Sequence, residues 1–276
     1  MAIIGVWYLV TVQPKFNAKG LSEEEVMKLE FNGDIVRDKD GGYINNPAKN
    51  QGIPGPYTVM HYAIEQLSNP FHKMGTNNHG IGLLVIYTIK RFILGFLAAS
   101  LISICIGVII GLNPLIFEIL NPFFQVLKPI SPLAWMPILL YTVKDPKATA
   151  ILVVFMAAIW PTITNTAFGV KSLRREYIHV ANLLQLPWFV KLFKIVLPGA
   201  APAIMAGLRI SFGSALVAVV PAEMLLGELG VGYLTWIEWN NLDISGVLFA
   251  ILVIGFVGWS LDLFFNRVAN ALTYTE

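Results

Sequence analysis

Apolar residues are gathered into five long runs that polar segments separate. Each run is long enough to form a helix that crosses a membrane, which needs about 20 residues. The runs cover residues 81–112, 115–143, 148–170, 200–226 and 247–265. The second run contains Lys128 and four prolines, so we expect that span to be irregular or kinked. The pattern predicts an all-α integral membrane protein.

A shorter apolar run occupies residues 2–12. It is about half the length of a membrane span, and it lacks the basic start and small-residue cleavage site of a signal peptide. We interpret residues 1–12 as part of a first span, which gives five to six spans in total. Residues 13–80 then form one external loop, and residues 81–276 form the membrane core.

The polar segment between the third and fourth long runs has a helical pattern of its own. Apolar positions recur at helical spacing over residues 177–186 and again over residues 188–196. This spacing predicts two short amphipathic helices, separated by Pro187 and closed by Pro198. A folded loop of this kind is suited to contact a partner protein, although a helix resting on lipid headgroups would show the same pattern.

Basic residues predict the orientation of the spans. Residues 171–198 contain five lysines and arginines and one acid, whereas residues 227–246 contain three acids and no basic residue. The positive-inside rule therefore places the first loop in the cytoplasm and the second outside, with both chain termini cytoplasmic. Lys144 and Lys147 fall outside in this arrangement and count against it.

Composition and missing motifs exclude several classes of function. Of the 276 residues, 56% are hydrophobic and 13% are charged, against about 25% charged in soluble domains. The net charge of +2 favours no nucleic-acid partner. There is no GxxxxGK[ST] sequence and no hydrolase motif, and the four histidines and Cys105 are scattered. We expect no nucleotide site, metal or cofactor in this chain, and no enzymatic activity of its own.

Arg209 lies about twelve residues beyond Pro198, near the middle of its span. An arginine at that depth costs about 2.5–3.5 kcal/mol, so it must face the bundle interior or an aqueous path. It could contact an anion in such a path, or it could bond helix-end carbonyls or a carboxylate of a neighbouring span. The candidate residues for lining a path through the bundle are Arg209, Asn165, Ser211 and Glu223.

Several short motifs resemble the permeases of ATP-binding-cassette (ABC) importers, and in particular their nitrate/sulfonate/taurine group. In the polar loop, His179, Val180 and Ala181 stand at the family's EAA positions, Gln185 at its glycine, and LP at 197–198 at its final pair. The loop sequence YIHVANLLQL at 177–186 is similar to the nitrate branch. Further matching motifs are NPF at 69–71, GIG at 80–82, PLAWMP at 132–137, IWP at 159–161, NT at 165–166, GLRI at 207–210 and AEML at 222–225.

The resemblance implies a helical bundle like the transmembrane domain of type I ABC importers, in a bacterial inner membrane. It implies that the polar loop docks on ATP-binding subunits, which would carry ATP and Mg. It further implies an extracytoplasmic substrate-binding protein and a second permease copy that completes a homodimer. The residues assigned to ATPase coupling are Glu176, Tyr177, His179, Val180, Ala181, Leu184, Gln185 and Leu186.

The expected substrate is a small oxyanion, with nitrate (or nitrite) favoured. Bicarbonate, cyanate and sulfonates such as taurine are the alternatives. A secondary transporter or channel is the rival from another class, and an inverted repeat would favour it; the interrupted polar loop occurs only once.

Overall fold

The computed structural model describes residues 7, 22–32, 35–37, 43–45, 54–75, 78–174, 176, 181 and 183–272. The partial span predicted for residues 1–12 therefore lies outside the described residues, apart from Trp7. The segment before the first long helix contains α1 (Glu23–Phe31) and α2 (Pro56–Ser68). It also contains two antiparallel two-stranded hairpins, β1–β2 (Ile35–Arg37 and Tyr43–Asn45) and β3–β4 (Lys73–Met74 and Asn78–His79).

The rest of the described chain is helical, as the sequence predicts. The elements are α3 (Ile81–Leu112), α4 (Pro114–Leu127), a 3-10 turn (Pro132–Trp135), α5 (Met136–Val143), α6 (Pro146–Lys171), α7 (Trp188–Leu226), α8 (Val231–Asn240) and α9 (Ile244–Leu272). Among the described residues, four helices are long and apolar enough to cross a membrane, and one bent pair could form a fifth crossing.

The bent pair is α4 together with Pro132–Val143, which meet at 90°. This confirms the kinked span expected for residues 115–143. The break has a local cause, because Pro129 and Pro132 supply no backbone N–H to continue the helix. Pro132 also keeps Ser131 out of helical conformation, with ψ 130°. Asn113 starts α4, and its side-chain oxygen accepts hydrogen bonds from the Leu115 and Ile116 amides.

The fourth predicted span begins earlier than expected. The sequence predicts a separate helix over residues 188–196 that Pro198 closes, and this prediction is wrong. The helix continues from Trp188 to Leu226 through a π-helical turn at Leu192–Val196. The Leu197 amide bonds to the Leu192 carbonyl in this turn. The wider turn accommodates Pro198, which offers no amide hydrogen of its own.

Close contacts between small residues show which helices run parallel. Along α3, Gly95 packs against Val154 of α6 and Gly111 packs against Val170, so the two helices run parallel. Along α7, Gly207 packs against Asn165, and Ala218 and Ala222 pack near the start of α6, so α7 runs in the opposite direction. Such small-residue contacts are typical of helix packing in membranes. Since α3 and α6 are parallel, the broken α4–α5 pair must cross back between them.

The described helices thus form four crossings, or five with the bent pair, and the bundle has two ends. The loop end contains Leu112, Lys171 and Trp188, and the far end contains the starts of α3, α6 and α9. Four phenylalanine rings join α3, α7 and α9, with centroids 5.0 Å apart for Phe92 and Phe212 and 4.8 Å apart for Phe212 and Phe265. Phe96 lies among them, 5.4 Å from Phe212.

At the far end, α2 is held on α8 by a polar contact. The Tyr62 hydroxyl donates to Glu238 Oε1 at 3.0 Å, and Gln66 Nε2 donates to the Tyr62 oxygen at 3.2 Å. Burial raises the pKa of Glu238, and burial together with this carboxylate raises the pKa of Tyr62 well above its usual range. The hydroxyl therefore remains a donor at neutral pH, and it attaches the segment before α3 to the bundle.

Candidate functional site

The helical part of the polar loop that precedes Leu184 ends with a defined cap. Gln185 has φ +48°, in the left-handed region, and the Leu186 amide donates to the Ala181 carbonyl at 3.1 Å. This hydrogen bond joins residues that are five positions apart. Together with a left-handed residue just before its donor, it is typical of the Schellman motif, which closes many helices. The predicted coupling residues Tyr177, His179 and Val180 lie outside the described residues.

The left-handed conformation explains why glycine suits position 185. A non-glycine residue in this region costs about 1–2 kcal/mol, because its Cβ approaches the following carbonyl. Gln185, which the resemblance places at a family glycine, adopts the backbone conformation that glycine favours.

Two of the described coupling residues differ in what they can offer a partner. Ala181 is completely buried within its own chain, although the sequence placed it on the docking face. Leu184 is 66% exposed, and its neighbour Leu183 is 83% exposed. Glu176 and Gln185 are exposed, and Leu186 is half-buried. Among the described residues of this loop, the exposed leucines and not Ala181 present apolar surface.

Two of the four path candidates are buried in helix contacts. Ser211 is completely buried, and its Oγ donates to the Ala158 carbonyl at 2.6 Å. It also lies 2.6 Å from Thr162 Oγ1. Because a hydroxyl has a single hydrogen, Thr162 must be the donor in the second bond. Ser211 therefore joins α7 to α6, and it is not exposed to an aqueous path in this structure.

Glu223 is the second buried candidate, at the far end of α7. Its carboxylate pairs with Arg91 of α3. It also accepts hydrogen bonds from Thr88 Oγ1 at 2.9 Å and from the Gly232 amide at 3.0 Å. The network continues outward, because Arg91 lies 3.5 Å from Glu228 Oε2. Glu223 thus connects α3, α7 and α8.

The glycines around Glu223 are required by space. A Cβ added at Gly230 would lie 2.2 Å from Glu223 Oε2, and one added at Gly232 would lie 2.3 Å from the Val220 carbonyl oxygen. No sequence motif connects Glu223 with Arg91. The available signal was an arginine inside an apolar helix, which requires a partner.

The other two path candidates are more accessible. Asn165 is half-buried where α6 meets α7, and its Nδ2 donates to the Pro161 carbonyl at 2.8 Å. Arg209 is exposed, and no described residue forms a hydrogen bond or ion pair with it. The predicted structural role of Arg209, as a partner of a carbonyl or carboxylate in a neighbouring span, thus finds no partner in the described part of the chain.

The family of binding-protein-dependent transport system inner membrane components matches this chain over residues 103–274. The chain belongs to this family. It is 36% identical to the nitrate import permease protein NrtB of Synechocystis over 81% of this chain and 82% of that protein. It is also 36% identical to the bicarbonate transport system permease protein CmpB of Synechococcus elongatus, over 77% of each. The taurine transport system permease protein TauC of Escherichia coli is 31% identical over 67% of this chain and 68% of that protein.

A solved structure of the MetNI methionine ABC transporter in inward-facing conformations aligns with TM-score 0.43 and 13% identity, over 68% of this chain and 97% of that chain. This likeness is weak, so the assignment rests on the sequences. The resemblance to permeases of the nitrate/sulfonate/taurine group is confirmed, and the protein is a multi-pass permease of the ABC importer family.

Replacing Glu223 with alanine should destabilise the permease by about 3–5 kcal/mol, because the buried Arg91 would lose its closest partner. It would keep only the longer contacts with Glu228 and the Leu229 carbonyl. The paired change of Arg91 to methionine and Glu223 to leucine should recover most of that loss, since it removes both charges together. Thermal unfolding of the purified permease in detergent measures both effects.

Glu118→Ala is the matched control. Glu118 is mostly exposed and lies 3.8 Å from Lys171, so its removal should cost less than about 1 kcal/mol. If Glu223→Ala is as well tolerated as Glu118→Ala, the role of the buried pair is refuted.

Replacing Gln185 with glycine should stabilise the end of the loop helix by about 1 kcal/mol, because glycine adopts the left-handed conformation without strain. Hydrogen exchange of the Leu186 amide, which bonds to Ala181, reports on this helix end and should become slower. The same change at Gln125, inside α4, should instead destabilise its helix by about 1 kcal/mol. Faster exchange in the Gln185 variant would contradict the assignment of the cap.

Proposed function

We propose that this permease imports a small planar oxyanion with charge −1, with nitrate as the first choice. The supporting observation is the high coverage of relatives named for nitrate and for bicarbonate, at 36% identity in each case. Both anions are trigonal, carry one negative charge and present three coplanar oxygens. A guanidinium such as that of Arg209 matches this geometry, because it can donate two parallel hydrogen bonds. Bicarbonate is the second candidate for the same reason.

The permease works in this proposal as a homodimer that receives energy from separate ATP-binding subunits. Those subunits carry ATP and Mg, and this chain has no nucleotide site, metal or cofactor. An extracytoplasmic binding protein delivers the anion. The loop end faces the cytoplasm of a bacterial cell, which places the C-terminus inside; the N-terminus is also inside because residues 1–12 are proposed to belong to a further span. The supporting observation is that Lys171, Arg174, Lys191 and Lys194 lie at or next to this end.

The exposed leucines of the loop are proposed to contact the ATP-binding subunit. The continuous helix from Trp188 to Leu226 follows this loop directly and carries Arg209 near its middle. A movement of the loop would therefore be transmitted through the short turn at 184–187 to the helix that carries the proposed anion contact.

Replacing Leu184 with glutamate should prevent co-purification of the ATP-binding subunit, because a carboxylate in an apolar interface loses its hydration without a partner. The permease itself should still insert and fold, since Leu184 is exposed. Quantifying both subunits after affinity purification of the permease measures the effect.

Phe31→Glu is the matched control, because Phe31 is 93% exposed on α1, outside the proposed interface. Ala181→Glu should behave differently from both, with a lower yield of permease, because Ala181 is buried in its own chain. A Leu184→Glu variant that retains a stoichiometric ATP-binding subunit would remove this loop from the interface.

The substrate is tested with the assembled transporter and its binding protein in proteoliposomes. We expect nitrate to stimulate ATP hydrolysis and to enter the vesicles, with bicarbonate as a weaker substrate or competitor and taurine inactive. Stimulation by taurine alone would overturn the proposed substrate class. Nitrate entry without ATP would instead favour the secondary transporter or channel.

A further inference from the structure

The break between α4 and α5 lies near the middle of the bundle. Phe124, close to the end of α4, packs against Trp160, with ring centroids 6.2 Å apart. Leu133, just after the break, packs against a cluster that includes Val153 and Ala157. Both contacts lie close to the centre of α6, which runs from Pro146 to Lys171. Lys128 lies between these two contacts and is exposed.

Arg209 lies at the same depth on another helix. Two residues before it, Gly207 packs against Thr162 and Asn165, and two residues after it, Ser211 bonds to the Ala158 carbonyl. These contacts again fall near the centre of α6. Lys128 and Arg209 are therefore level with each other to within about one or two helical turns of 5.4 Å.

Neither cation has a partner in the described part of the chain. No described residue forms a hydrogen bond or ion pair with the side chain of Lys128 or of Arg209. Arg91, in contrast, is paired on all sides by Glu223, Glu228 and the Leu229 carbonyl. Unpaired cations at the centre of a bilayer are costly, so they mark a water-filled cavity or an ion path when they occur.

Arg209 has open space beside it, and an unpaired buried donor lies seven residues after Lys128 in the chain. Arg209 stands on an exposed face of α7 with the small residues Ala206 and Gly213, and a Cβ added at Gly213 would meet no atom within 4 Å. In the segment that contains Lys128, the buried indole N–H of Trp135 has no hydrogen-bond partner among the described residues. A buried donor without a partner is rare, and it could donate a hydrogen bond to a ligand that binds transiently.

We propose that Lys128, in the break between α4 and α5, and Arg209, on α7, together bind a small inorganic oxyanion at mid-membrane depth. The inference rests on the proposed function, since it identifies where an imported anion would bind during its passage through the membrane. Lys128 acts as a point charge and Arg209 supplies a planar pair of donors. A span that breaks at the bilayer centre is also where transporters of other folds expose polar groups to their substrate.

The transport test uses the assembled importer with nitrate as the probe. Lys128→Gln and Arg209→Gln should each lower nitrate uptake by about 10- to 100-fold, the effect of losing one hydrogen bond to a charged group. Lys128→Arg should stay within a few-fold of the unchanged importer. The double variant should lose less than the product of the two single losses, because both residues contact one anion. Complex yield should not change.

Lys90→Gln is the matched control, because it removes an exposed lysine that lies among Ile86, Ile89, Ile93 and Leu94 on α3. It should leave uptake unchanged. Asp262→Asn tests the competing explanation, since Asp262 is exposed on α9, which packs against α7. If Asp262→Asn reproduces the loss of uptake seen in Arg209→Gln, Arg209 belongs to an ion pair and the proposal fails.

An accessibility test separates the site from the identity of the substrate. Lys128→Cys, in a Cys105→Ser background, should react with a negatively charged, water-soluble thiosulfonate, and millimolar nitrate should slow the reaction. Leu97→Cys, 59% exposed on the apolar surface of α3, should not react. Protection by bicarbonate but not by nitrate would keep the site and overturn nitrate as the substrate. No reaction at position 128, or reaction that neither anion slows, would overturn the site itself.

Discussion

The bundle depends on pairing its buried polar groups inside the protein, because the hydrocarbon around it offers no hydrogen bonds. The Arg91–Glu223 pair shows this constraint most clearly. Its carboxylate also accepts from Thr88 Oγ1 and from the Gly232 amide, so one side chain joins three helices. Gly230 and Gly232 have no side chain because the carboxylate and a carbonyl occupy the space that a Cβ would need. The turn between α7 and α8 is therefore shaped around a single buried charge.

The same constraint distinguishes the polar side chains that are paired inside the bundle from those that remain unpaired. Ser211 and Glu223 are fully bonded within the bundle, whereas Lys128 and Arg209 are exposed and have no partner among the described residues. Buried and bonded groups stabilise helix contacts, and exposed cations at the bilayer centre are the ones available to a transported anion. Pairing and exposure, and not residue type alone, therefore distinguish residues that hold the helices together from residues that could line a translocation path.

The loop end and the bilayer centre are linked by one helix. Because the π turn at Leu192–Val196 carries the helix through Pro198, α7 extends from the loop to the far end without a break. The broken α4–α5 pair is the opposite case, since prolines interrupt it at the depth where α7 carries Arg209. The continuous α7 can transmit a displacement of the loop toward the far end. The interrupted α4–α5 pair can bend to accommodate that displacement.

Sequence patterns alone predicted the class of protein, the approximate positions of the long spans except for the start of the fourth, and the kink in the second. These features depend on local hydrophobicity and on proline, which act along the chain without reference to other helices. The permease resemblance likewise rested on short motifs that the family match confirms. Tertiary structure decided which polar residues are paired. Glu223 and Arg209 lie on neighbouring sides of α7, yet only Glu223 is covered, because α3 and α8 pack over that end of the helix. Ala181 and Leu184 share one apolar pattern, yet the chain buries the first and exposes the second. Periodicity places a side chain on a face of its helix, but only the packing of distant segments determines whether that face meets protein, lipid or a passing ion.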